Sequence, residues 1–263
     1  MDTYLVGRNQ TYTTLQAAID AAAADLGGSP LLDTCEIVIT DRGPYEPARI
    51  PSTLQPTSTY RFIIRTGTVE ENLWFERATR VGETTRRAII SGALNQDNAW
   101  SGIYSDIVDY VTIKNLEFTV LKSGIVLYKS DYSIVENCHM IDNDYYGVQF
   151  FQSDRGIVFN CAMSNSSALV CVLRSKEAVL IHNSLINSSN GLYAVWAEWH
   201  AELDGSVLNQ DVPIYYAHNN IMVGKNGPPL MMPLDTEKTL SCLDGNDYWC
   251  PTVMAIADHY QEN

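Results

Sequence analysis

One short unit, an apolar run closed by an asparagine and resumed just after it, returns through the middle of the chain. It reads Val111-Thr-Ile-Lys-Asn115-Leu-Glu-Phe118, then Ser133-Ile-Val-Glu-Asn137-Cys-His-Met140, Gly156-Ile-Val-Phe-Asn160-Cys-Ala-Met163 and Val179-Leu-Ile-His-Asn183-Ser-Leu-Ile186. The asparagines are 22, 23 and 23 residues apart. A second row, Gly102, Gly124, Gly147, Leu169 and Gly191, keeps the same spacing. A further copy at Asn219 comes 36 residues after Asn183, so about half a unit is inserted, near residues 198–212.

A unit of this length holds two or three short strands and tight turns. It cannot bury its own apolar positions and is stable only when stacked on others like it. The spacing predicts two inward columns, Ile113, Val135, Val158, Ile181, Ala217 and Phe118, Met140, Met163, Ile186, Met222. Asn115, Asn137, Asn160, Asn183 and Asn219 then lie about 4.8 Å apart as a structural ladder of side-chain amides. Asparagine also tolerates the left-handed backbone of a sharp corner. Leucine-rich repeats and propeller blades have other periods. The expected fold is all-β, a right-handed parallel β-helix of coils of about 22 residues.

Residues 1–34 read as an N-terminal segment with a capping α-helix. Thr13 and Thr14 offer the N-cap, Gln16 stands where a capping box places its partner, Leu15, Ala18, Ile19, Ala22 and Leu26 form one stripe, and Gly27-Gly28 stops the helix. The β-helix is expected over 35–250. Residues 251–263 either fold over its end or lead into a longer natural chain.

A net charge of −14 and a pI near 4.6 argue against nucleic acid, which needs clustered Lys and Arg. Met1 to Gly7 shows no signal peptide and no 18-residue apolar run occurs, so assembly in a cytoplasm without membrane insertion is expected. Cys35, Cys138, Cys161, Cys171, Cys242 and Cys250 contain no CxxC, which points to reduced thiols and away from a structural zinc.

Several segments carry a resemblance: Tyr12-Thr-Thr-Leu-Gln-Ala-Ala-Ile-Asp-Ala21, Ile37-Val-Ile39, Gly43-Pro-Tyr-Glu46, His218-Asn-Asn-Ile-Met-Val223 and Asp244-Gly-Asn-Asp-Tyr-Trp249. The chain resembles the pectate-lyase-like β-helix group, which contains pectate lyases, polygalacturonases, pectin methylesterases and phage tailspikes. The resemblance implies the fold far more than an activity. The Asn-Thr-Asp, Asp-Asp, Gly-His-Gly and Arg-Ile-Lys elements of polygalacturonases do not occur, and the methylesterase aspartate segments are not matched.

Candidate chemistry lies in three places. Asp109, Asp131 and Asp154 occupy equivalent turn positions, with Lys176 next in line; they either hold Ca2+ or cap backbone N–H groups. Asp142-Asn-Asp144-Tyr-Tyr146 is an oxygen-rich turn that offers a second metal candidate beside its reading as a plain polar turn. The insertion carries Glu198, Trp199, His200, Glu202 and Asp204, with Trp199 as a sugar platform and the others as acid and base, or it is an excursion that packs on the solenoid or a neighbour. His139, His182 and His218 read as outward coil residues.

Val126, Tyr128, Phe151, Cys171, Leu173, Tyr193 and Val195 alternate with buried Ile125, Leu127, Val148, Phe150, Val170 and Val172, so one sheet has two apolar faces. An outer apolar stripe implies a covering element or other protomers, and a homotrimer is expected. The expected function is a bacteriophage virion protein of tailspike, fibre or head decoration type, contacting other virion proteins and binding a host glycan, with no cofactor unless Ca2+ is held. The rival expectation is a lyase or hydrolase of an acidic or capsular polysaccharide, its catalytic groups drawn from Glu198, His200, Glu202 and Asp204 of the insertion or from the Asp109, Asp131, Asp154 row.

Overall fold

The structure, a computed structural model, describes residues 1–68, 87–94, 100–187, 193–198, 214–224, 230–232, 242–244, 246–249 and 256–258. The chain winds through three parallel sheets in turn. Sheet A runs from Asp2–Val6 through Cys35–Ile39, Phe62–Thr66, Val111–Lys114, Ile134–Glu136, Ile157–Phe159 and Ala178–Ile181 to Ile214–His218 and Cys242–Asp244. Sheet B includes Ala88–Ser91, Leu116–Thr119, His139–Ile141, Ala162–Ser164, Ser184–Asn187 and Ile221–Gly224. Sheet C includes Ala48–Ile50, Ser101–Asp106, Ser123–Tyr128, Tyr146–Phe151, Ala168–Leu173 and Tyr193–Glu198. Each strand pairs with its equivalent one coil away, so every coil buries its inward side chains against the coils above and below.

Corners are made by single residues with left-handed backbone. Between sheets A and B these are Asn115, Asn137, Asn160, His182 and Asn219, with φ from 51° to 59°. The fourth of them corrects the sequence reading. Leu180, not Ile181, pairs with Val158 and is fully buried; Leu185, not Ile186, pairs with Met163, and Ile186 is 43% exposed. Asn183 consequently lies one step past the corner and points inward. A one-residue slip exchanges the two faces of a strand, and Leu180-Ile181 and Leu185-Ile186 are equally apolar, so hydrophobicity could not fix the register there.

The inward step beyond that corner forms a different ladder. Leu116, Cys138 and Cys161 fill it first, then Asn183, Asn220 and Asn246. Cys161 N–H donates to Asn183 Oδ1, Asn183 N–H to Asn220 Oδ1 and Asn220 N–H to Asn246 Oδ1, each at 2.9 Å. Of the outer asparagines, Asn160 Nδ2 donates to Asn137 Oδ1. A serine column, Ser130, Ser153 and Ser175, does the same work at the corner from sheet C to sheet A, with Ser130 N–H and Ser153 N–H each 2.9 Å from the next hydroxyl.

Leu15–Leu26 is the helix, and Leu15, Ala18, Ile19 and Ala22 are buried against the first coil. Thr14 is its N-cap and accepts from Ala17 N–H. Gln16 does not complete a capping box: its side-chain amide bonds Arg49 through both N–H and C=O, holding the helix to the edge of sheet C. No helix among the described residues is long and apolar enough to cross a membrane.

Val120, like Ile107, is poorly suited to its corner. It is β-branched, 57% exposed and held at φ 56°, where the next coils place Asp142 and Asn165. Val120→Asn should relieve about 1 kcal/mol of strain and raise Tm by roughly 3 °C. Calorimetry showing no rise would mean that the corner stores no such strain.

Candidate functional site

The outer face of sheet C gathers most of the chemistry in the described residues. Register aligns Arg49, Tyr104, Val126, Gln149, Cys171 and Trp196 in one row across it. A second row is Asp106, Tyr128, Phe151 and Leu173, ending at Glu198, and a third contains Tyr146, Ala168 and Tyr193. Tyr128, Phe151, Leu173, Val126 and Tyr193 face outward and are half-buried, as the alternation predicts. Val195 does not: it pairs with Val170 and is fully buried, and Trp196 takes the outward place. Cys171 stands in an outward row yet is also fully buried.

This face is aromatic and cationic rather than simply apolar. The Tyr128 and Phe151 rings stack at 5.5 Å, Lys129 Nζ sits 5.2 Å from the Tyr128 centroid and the Arg174 guanidinium 5.9 Å from that of Phe151. Arg49 lies 5.5 Å over Tyr104 and pairs with Asp106; burial, then the Asp106 charge, raises the Tyr104 phenol above its ordinary value. Trp196 meets Tyr146 at 6.4 Å and Tyr193 at 6.0 Å, and Lys122 Nζ is 4.0 Å over exposed Trp100 at the neighbouring corner. Trp196, Lys129 and Arg174 fall outside the apolar alternation visible in the sequence, where Tyr146 stands out only as the end of the Asp142 turn. The spacing of Lys129 and Arg174 from their ring neighbours was the available signal.

The aspartate row is committed to the backbone. Asp131 N–H donates to Asp109 Oδ1 and Asp154 N–H to Asp131 Oδ1, both at 2.8 Å, and Lys176 both donates its N–H to Asp154 and brings Nζ to 3.7 Å. These are the caps of the second reading, with each carboxylate reaching the next coil. Burial above all, with the Asp131 charge adding to it, raises the Asp109 carboxyl above its usual range, against the lowering effect of the N–H it accepts. A raised folded-state pKa gives stability that is present at low pH and is lost as pH rises through that value. Asp109→Asn keeps an acceptor for Asp131 N–H and removes the charge. It should therefore be slightly more stable than the parent at pH 7, by under about 1 kcal/mol, with the difference fading below the carboxylate range in melts against pH.

Asp142 occupies a corner and accepts from Asn165 Nδ2 at 2.8 Å, while Asp144 is tied through its backbone to Leu121 and Ser167. Among the described residues, no three His, Cys, Asp or Glu side chains are placed to share a metal ion. Trp199, His200, Glu202 and Asp204 lie outside the described residues, and Glu198 closes its strand opposite Leu173. His139 faces out of sheet B, 4.0 Å from Glu117; burial and then Arg87 lower its pKa, with Glu117 opposing. His182 and His218 meet edge-on at 6.3 Å. Cys35, Cys138, Cys161 and Cys171 are buried, and burial pushes the Cys35 thiol up to about 12.

Residues 78–208 match the family described as right handed beta helix region. Curated protein sequences include no match. Among solved structures, an alginate lyase from Paenibacillus sp. str. FPU-7 superposes with a TM-score of 0.50 at 12% identity, over 97% of both chains. A pectin methylesterase from Aspergillus niger gives 0.45 at 10% identity, over 96% of this chain and 87% of that one. With three parallel sheets wound from a 22-residue repeat, the chain is a right-handed parallel β-helix.

Proposed function

We propose that this β-helix holds a surface polysaccharide against the outer face of sheet C, as a phage virion protein of tailspike, fibre or decoration type. The observation that carries the binding reading is the Tyr128–Phe151 stack flanked by Lys129 and Arg174, with Trp196, Tyr146 and Tyr193 further along the same face. Rings offer apolar area with a polar edge, which suits the two-sided character of a sugar, and the cations suit an acidic one. The virion setting and a homotrimer are parts of the same proposal.

Calorimetric titration with a panel of neutral and acidic polysaccharides tests it. Binding of an acidic glycan should weaken with salt. Tyr128→Ala and Trp196→Ala should each weaken it about tenfold, roughly 1.4 kcal/mol. Absence of binding across the panel would sink the glycan reading. Release of unsaturated or reducing ends would establish instead a lyase or hydrolase, for which the fold shared with an alginate lyase speaks. Light scattering checks the trimer.

A further inference from the structure

Three buried side-chain atoms in successive coils, at the corner from sheet B to sheet C, meet no hydrogen-bonding group among the described residues. They are Asn143 Nδ2, Ser166 Oγ and Asn187 Oδ1, on residues that are 1%, 3% and 0% exposed. An unpaired buried polar group is costly, and folded proteins nearly always meet it with a protein group or an ordered water.

The orientation of both amides is set by their other bonds. Asn143 Oδ1 accepts from Leu121 N–H at 3.2 Å, which leaves Nδ2 as the open donor. Asn187 Nδ2 donates to the Ser166 and Tyr193 carbonyls, which leaves Oδ1 as the open acceptor. Ser166 stands between them with a hydroxyl, where the buried ladder at the other corner has the amides of Asn183, Asn220 and Asn246. Unlike the hydroxyls of Ser130 and Ser153, which bond across coils, the Ser166 hydroxyl meets no group of the neighbouring described coils.

We propose that ordered water fills this step, linking Asn143 to Ser166 and Ser166 to Asn187. The open set contains a donor, an acceptor and a group that is both. An N–H facing the space disfavours a cation and a carbonyl oxygen disfavours an anion, whereas water satisfies all three. Two groups about 4.8 Å apart are bridged by a water at normal hydrogen-bond distance from each, with a bond angle close to tetrahedral. Gly124 keeps a side chain away from the corner: a Cβ there would stand 2.6 Å from Gly147 O and 3.5 Å from Asn143 Nδ2. Because Asn187 also holds the Tyr193 carbonyl, the hydrated step lies under the strand that carries Trp196. The assignment is independent of what that strand binds.

A crystal structure of the whole chain at atomic resolution, together with oxygen-17 relaxation dispersion in solution, tests the assignment. Density within hydrogen-bond distance of Ser166 Oγ and of Asn143 Nδ2 or Asn187 Oδ1 is expected, with long-lived water in the dispersion. Ser166→Asn should displace at least one such water and lower the dispersion amplitude while the protein stays folded. A wild-type map with no such density, or with these side chains paired directly to one another, would overturn it. So would a folded Ser166→Asn variant whose amplitude matches the parent; should that variant fail to fold, the wild-type map and dispersion still decide.

Discussion

Asn220→Ala is expected to lower stability by about 4 kcal/mol and Tm by roughly 10 °C. Asn220 is 1% exposed and its side chain is used on both sides. Its Oδ1 accepts from Asn183 N–H and Asn183 Nδ2, and its Nδ2 donates to Leu180 O and Asn246 Oδ1, all at 2.9 Å. Alanine leaves the Asn183 N–H without its acceptor and the Leu180 carbonyl without this donor, and it adds a small cavity. Asn160→Ala provides the contrast. Asn160 is exposed at its corner with φ 51° and one side-chain bond to Asn137, so only the left-handed backbone and one solvated bond are at stake, about 1 kcal/mol. Equal losses in denaturant titrations of the two variants would show that the buried ladder is no stronger than the surface one.

Glu36→Ala is expected to cost about 3 kcal/mol. Glu36 and Arg65 lie on the outer face of sheet A, buried to 7% and 9% exposure, and the guanidinium meets Glu36 Oε2 through Nε at 3.0 Å and Nη2 at 2.7 Å. Removal of the carboxylate takes from a largely desolvated guanidinium the group that meets its Nε and Nη2. Replacing both partners by apolar residues, Glu36→Leu with Arg65→Met, should recover most of the loss, because desolvation of the pair offsets much of its attraction. A double variant as unstable as Glu36→Ala would show that the pair also organises its neighbours. Urea denaturation with tryptophan fluorescence reads all three proteins.

Much of this architecture was readable from one column of asparagines. A coil that cannot bury its own apolar side chains must stack, so the period near 22 implied the solenoid, and Thr14, Leu15, Ala18, Ile19 and Ala22 implied the helix that covers its first coil. The lateral face was also visible in outline through Tyr128, Phe151 and Leu173. Its character was not, because Lys129 and Arg174 come into place over rings contributed by their own or a neighbouring coil.

That Asp109, Asp131 and Asp154 cap backbone N–H groups of the next coil was equally beyond the sequence. Three carboxylates at equal spacing do not reveal where the next coil's N–H lies. The same holds for the fourth coil. Periodicity by itself determined that the chain is a parallel β-helix, since hydrophobic burial responds to a repeat whatever the local detail. The tertiary structure alone decided that His182 turns the corner, that Asn183 joins the buried ladder of Asn220 and Asn246, and that Val195 points inward while Trp196 faces out. A register shift of one residue changes little in apolar content but everything in direction, and direction is set by backbone bonds to the neighbouring coil.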